Sequence, residues 1–144
     1  MRSTYPNEPG LFGYNYEFGI VVRGDGSSNG YEVGMANVSR QVAPTGNTSP
    51  QGALIALIQN DNTSGYVYGS GFSYSGAILK NSKYQLDTAW HTYRVEVTGN
   101  DIKFFVDDGL LAETTDNTYL SGMRVGLRAV YADVDVSSFK VTAL

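Results

Sequence analysis

Arg23 and Glu32 are the two charged residues whose spacing could hold a ligand. Phe18, Ile20 and Val22 alternate with polar or small residues, and Tyr31, Val33 and Met35 do the same after the turn GDGSSN. Side chains alternate across a strand, so pairing Val22 with Tyr31, Ile20 with Val33 and Phe18 with Met35 puts six apolar groups on one face. The opposite face then carries Gly19, Arg23, Glu32, Gly34 and Ala36. Small residues leave room above a sheet. A guanidinium beside a carboxylate offers donors and acceptors together, which sugar hydroxyls require. The competing reading is an exposed cross-strand ion pair of small energetic weight. Trp90, Tyr66, Tyr68 and Tyr74 supply flat apolar rings on which a sugar can stack, although Trp90 also suits rim or core packing. Arg94 alternates with Trp90 and Glu96 along one face. Arg23, Glu32, Trp90, Tyr68 and Arg94 are thus the candidate ligand-binding residues.

Catalytic chemistry finds little purchase. His91 is the only histidine, and parity turns it toward the core side of its strand. The serines of GDGSSNG sit in a hairpin loop and not on a strand-to-helix elbow, so no catalytic residue is assigned. Glycosidases flank the scissile bond with two carboxylates, and the only alternating acidic pair is Asp133 and Asp135. These two read first as surface acids and second as weak candidates for calcium, a hard cation that takes oxygen ligands. Asp25, Asp61, Asp107 and Asp108 sit where turn formers belong. GDGSSNG joins two strands and precedes no helix, so it is not a phosphate loop. With no cysteine, disulfides, thiolate metal sites and cysteine nucleophiles are excluded. No cofactor is expected, calcium apart.

These residues need a scaffold, and the chain of 144 residues is one domain's worth. Valine, tyrosine, threonine and 17 glycines set the composition. Such residues suit pleated surfaces and tight turns. The expected fold is all-β, a two-sheet antiparallel sandwich of jelly-roll type. Residues 1–13, rich in Pro, Gly and Asn, read as an extended arm, and residues 14–144 as a single domain. GALIALIQ at 52–59 is apolar on both faces and reads as a central strand. A second hairpin is well specified. Tyr93, Val95 and Val97 pair with Val106, Phe104 and Ile102 around a Gly99-Asn100 turn, which also sets Glu96 opposite Lys103. Met123, Val125, Leu127 and Ala129 share a face. Val134 and Val136 give way to Phe139 and Val141, and that parity flip predicts a β-bulge at Ser137-Ser138.

The stretches AWHTYRVEVTGNDIKFFVDDG, GMRVGLRAV and VDVSSFKV, with GIVVRGDGSSNGYEV before them, resemble the concanavalin A-like jelly-roll superfamily. The nearest likeness is to laminin-G-like and 3-keto-glycoside hydrolase-like domains. The resemblance covers about residues 14–144 and implies a concave sheet on which Arg23 and Glu32 face a ligand. Relatives carry further strands before the Gly-Ile segment, and here only a short arm precedes it. The closing strand has Ser137-Ser138 where Asp-Asn is common.

Three functions follow as expectations. The first is a lectin-like module with carbohydrate as its partner. The second is a structural or assembly subunit that self-associates through the arm, as in a virion decoration or appendage. The third is a hydrolase of modified glycosides. A net charge of −4 without a basic run argues against nucleic acid. No apolar run approaches the roughly 20 residues of a membrane span. MRSTYPNEPG contains no signal peptide, and the expected setting is extracellular or a cell or virion surface.

Overall fold

The structure is a computed structural model that describes residues 1–3, 16–26, 29–37, 51–59, 62–63, 78–130 and 132–143. Its elements are β1 (Arg2–Ser3), β2 (Tyr16–Gly24), β3 (Gly30–Asn37), β4 (Gln51–Gln59), β5 (Asn62–Thr63) and β6 (Ile78–Lys83). They continue with β7 (Tyr93–Thr98), β8 (Asp101–Val106), β9 (Gly109–Thr115), β10 (Arg124–Val130) and β11 (Val134–Asp135). The described residues contain no helix, and hence none long and apolar enough to cross a membrane. The protein is all-β, and its pairings are antiparallel. The largest sheet runs β10-β2-β3-β4-β5, with β6 also on β4; a second runs β7-β8-β9; β1 and β11 form a small ribbon.

Both expected hairpins have the expected register. Phe18, Ile20 and Val22 pair with Met35, Val33 and Tyr31. Tyr93, Val95 and Val97 pair with Val106, Phe104 and Ile102. The apolar faces so defined meet in one core. Phe18, Val22, Tyr31, Val33, Met35, Ile55 and Leu57 come from the large sheet, and Ile102, Phe104, Val106 and Ala112 from the second. Burial of each large side chain contributes about 1.5–3 kcal/mol. Tyr93 ties the layers together. Its ring meets Phe18 edge-on at 5.6 Å and stacks on Phe104 at 6.3 Å. β4 is the central strand foreseen, buried on both faces from Ala53 to Ile58. Gly19 and Gly34 pair directly. A Cβ on Gly19 would lie 2.7 Å from the Val33 carbonyl oxygen, so this close backbone approach requires glycine.

Other expectations change. β9 was not foreseen; its two-residue turn has Asp107 and Asp108 at φ 47° and 67°, the conformation a tight hairpin turn demands. β6 borders β4 over Ile78–Lys83. Glu96 does stand opposite Lys103, but Lys103 pairs with Asp101 at 3.2 Å and Glu113 at 3.0 Å, while Glu96 pairs with Arg94. Both ends of the cross-strand pair have nearer partners. The closing strand stops at Asp135, and Val136 to Ala143 lie outside any strand, so no bulge forms at Ser137-Ser138. Met123, Val125 and Leu127 run along one side of β10 or its approach, and that side is open: Val125 and Leu127 are half-exposed and Met123 is 92% exposed. The described part of the arm, residues 1–3, lies on its own domain, with Arg2 opposite Asp135 and Ser3 opposite Val134.

Phe104→Ala is expected to cost about 3–5 kcal/mol in urea denaturation, because a buried ring leaves a cavity. Val125→Ser, at a half-exposed position, should stay within about 0.5 kcal/mol of the parent. Equal losses would contradict this placement of the core.

Candidate functional site

Arg23 does not share a face with Glu32, and the backbone explains why. β2 and β10 pair Val21 with Gly126 and Gly24 with Arg124. Two residues, Val22 and Arg23, therefore oppose the single residue Val125, which is a β-bulge. Arg23 sits in it with φ 53°. Two successive side chains lean the same way, so Arg23 joins Val22 on the core side. Its Nη2 donates to the carbonyl oxygen of Gly99, in the turn of the β7–β8 hairpin.

Glu32 keeps the side that parity assigns, but it is only 2% exposed. Its partner is Arg128 of β10, whose Nη1 donates to Oε2 at 3.0 Å. Gly34, Leu54 and Ala56 share this face, and all are buried. A buried carboxylate costs several kcal/mol to desolvate, and the guanidinium offsets that cost. This is a structural ion pair beneath the surface, rather than an open floor for a sugar.

The open space lies elsewhere. A cleft of about 850 Å³ runs between β2, β7 and residues 137–143. Ile20, Val22, Val95 and Val97 give it apolar walls, and Arg23, Thr92, Ser137, Ser138, Lys140 and Thr142 bring polar groups to it. Glu96 is the one carboxylate among the described lining residues. Arg94 also borders it from β7, but its guanidinium lies on the outer face. There it pairs with Glu96, reaches Asp108 at 3.6 Å and sits 3.9 Å from the centre of the Phe105 ring.

The other candidates are dispersed. Trp90 is 49% exposed and carries the Arg2 guanidinium 4.9 Å from its ring centre. Arg2 in turn bonds Asp135 at 2.9 Å. Asp135 thus holds a cation of its own chain, and Asp133 is an exposed neighbour just before β11. The described residues offer no group of three acids or histidines fit for a metal. Tyr66, Tyr68, Tyr74 and Asp61 lie outside the described residues, as does the side chain of Ala36.

Sequence reasoning missed the partners of His91. The turn at Asp107-Asp108 aims the Asp107 carboxylate at Nδ1, 2.6 Å away, while Asp87 takes Nε2 at 2.9 Å. Asp107 also accepts from the Thr92 amide at 2.9 Å. Tyr84 and Tyr93 meet the ring edge-on. The Met1 ammonium donates to the His91 carbonyl at 2.7 Å. The hydrogen bonds to Asp107 and then Asp87 raise the His91 pKa, and the same bonds lower those of Asp87 and Asp107. An imidazole donating from both nitrogens has no lone pair for a general base. The cluster is therefore an anchor for the start of the chain and the loop before β7. Proximity of Asp107 to His91 in a sharp turn was the one available signal, and their separation of 16 residues concealed it.

A raised histidine pKa stabilises fully below 6.5 and loses its effect as pH climbs through the folded value. The depressed carboxylates stabilise above 3.8 and lose their effect as pH falls through their folded values. The stability difference between the parent and His91→Gln should thus peak between pH 3.8 and 6.5 and shrink on both sides; a flat difference in thermal denaturation from pH 3 to 9 would refute the clamp. Separately, Arg128→Met should cost about 3 kcal/mol in urea denaturation by leaving Glu32 without its guanidinium, and adding Glu32→Gln should restore most of it.

No protein-family model, curated protein or solved structure matches the chain.

Proposed function

We propose that the chain is a non-catalytic, lectin-like module that takes glycan in the cleft between β2, β7 and residues 137–143. In this reading the two larger sheets form a jelly-roll sandwich of the concanavalin A-like type. The carrying observation is the cleft itself, about 850 Å³, with apolar walls and a polar border. Its size falls in the range of small-ligand sites, and a sugar presents both an apolar face and hydroxyls to such a lining. Arg23, a ligand candidate from the sequence, stands on it. A lone carboxylate, already held by Arg94, lacks the second acid that glycosidic cleavage uses. The site moves from the Glu32 face to the cleft because Glu32 is buried.

Calorimetric titration against glycans selected on an array, with and without calcium, tests the proposal. Binding should weaken about tenfold in Arg23→Ala, as expected on losing a charged hydrogen bond. An array and titrations without any binding, in either condition, end it. The second reading, an assembly subunit, draws on Met123, Val125 and Leu127 standing open along or just before β10, which pairs only with β2 among the described elements. Such a patch often marks a protein contact. A stable oligomer in light scattering, lost in Val125→Asp/Leu127→Asp, would favour it. A hydrolase of modified glycosides rests on the family resemblance alone.

A further inference from the structure

Among the described elements β7 pairs only with β8, so its other edge offers backbone donors and acceptors without a strand. Ser137 to Ala143 line the same cleft as Tyr93 to Val97 of that strand. They form no strand themselves. Their pattern is nevertheless a strand's: Phe139, Val141 and Ala143 alternate with Ser138, Lys140 and Thr142. Phe139 and Val141 are exposed, as are Val125 and Leu127 on the cleft side of β10. The span is long enough to cover β7, which has 6 residues. β11 ends at Asp135, where β1 holds it, so only Val136 separates this anchor from the segment.

We infer that Ser137–Ala143 is a strap that closes on the free edge of β7 as a fourth strand. Closure turns Phe139 and Val141 into the cleft toward Val125 and Leu127 and leaves Lys140 in water. The edge gains a ladder, and exposed apolar surface is covered. Ordering the segment opposes this, so open and closed forms coexist. A closed strap fills the cleft, and a ligand must displace it; that consequence rests on the glycan reading above.

Amide hydrogen exchange on the whole chain, without ligand and at two protein concentrations, tests the closure. Lys140→Pro removes one ladder donor at an exposed position, and Lys140→Ala is its control. Protection of the Thr142 amide, which points to the same side as that of Lys140, is expected in the parent and in Lys140→Ala, at least tenfold above Lys140→Pro. It should not change with concentration. Amides of β3 and β4 should be equally protected in all three, which shows that the fold is intact. Coil-like exchange of the Thr142 amide in the parent overturns the strap. So does protection that appears only in a concentration-dependent dimer, since the segment would then be exchanged between copies. Glycan titration separates the two ideas. Protection without binding in any variant leaves the strap standing and removes the lectin reading. Tighter binding by Lys140→Pro supports both.

Discussion

The contact of Phe18, Tyr93 and Phe104 is the join on which the molecule depends. Phe18 belongs to the large sheet, and Tyr93 and Phe104 to the second. An edge-on and a stacked contact together fix both the separation and the rotation of the layers. Burial drives the Tyr93 hydroxyl pKa far upward, so the ring stays neutral at any ordinary pH. Every larger feature inherits this arrangement. The cleft lies between β2 and β7, and the His91 cluster lies at the end of β7 where Tyr93 begins.

Two consecutive residues of β3 show how polar groups are accommodated. Tyr31 faces the core and is fully buried. Its hydroxyl donates to Asp116 at 2.7 Å and accepts from the Tyr119 amide at 3.1 Å, tying the turn between β9 and β10 to the large sheet. Glu32 faces the other way and meets Arg128. Each bonds its polar tip to a residue more than 80 positions away. Long-range polar closure of this kind favours one arrangement of the strands over its competitors.

The hairpin registers were legible because they need only period-two counting and one turn each. Phe18 with Met35 and Val95 with Phe104 follow from local arithmetic alone. The side of Arg23 was not legible, because one bulged residue reverses parity and nothing in GIVVRGDG marks it. The Glu32–Arg128 pair escaped for a different reason: it reaches across β2, from β3 to β10, and the flanking of β2 by these two strands depends on the order of the whole sheet. His91 with Asp87 and Asp107 likewise needed the folded turn. β9 was missed since GLLAETT alternates poorly. Phe139 and Val141 display strand periodicity without strand geometry, which shows that pattern specifies a preference and pairing requires a partner.

The bulge at Arg23 has a meaning for how such a chain can change. One additional residue in β2, opposite Val125, transfers a permanent cation from one surface of the sheet to the other. On the β3 side the pairs from Tyr16 to Val22 keep one register, so the core is untouched. A single-codon insertion or deletion at this spot could thus relocate a charge across the layer. The two sides of the sheet are chemically exchangeable there in a way that ordinary point replacement cannot achieve.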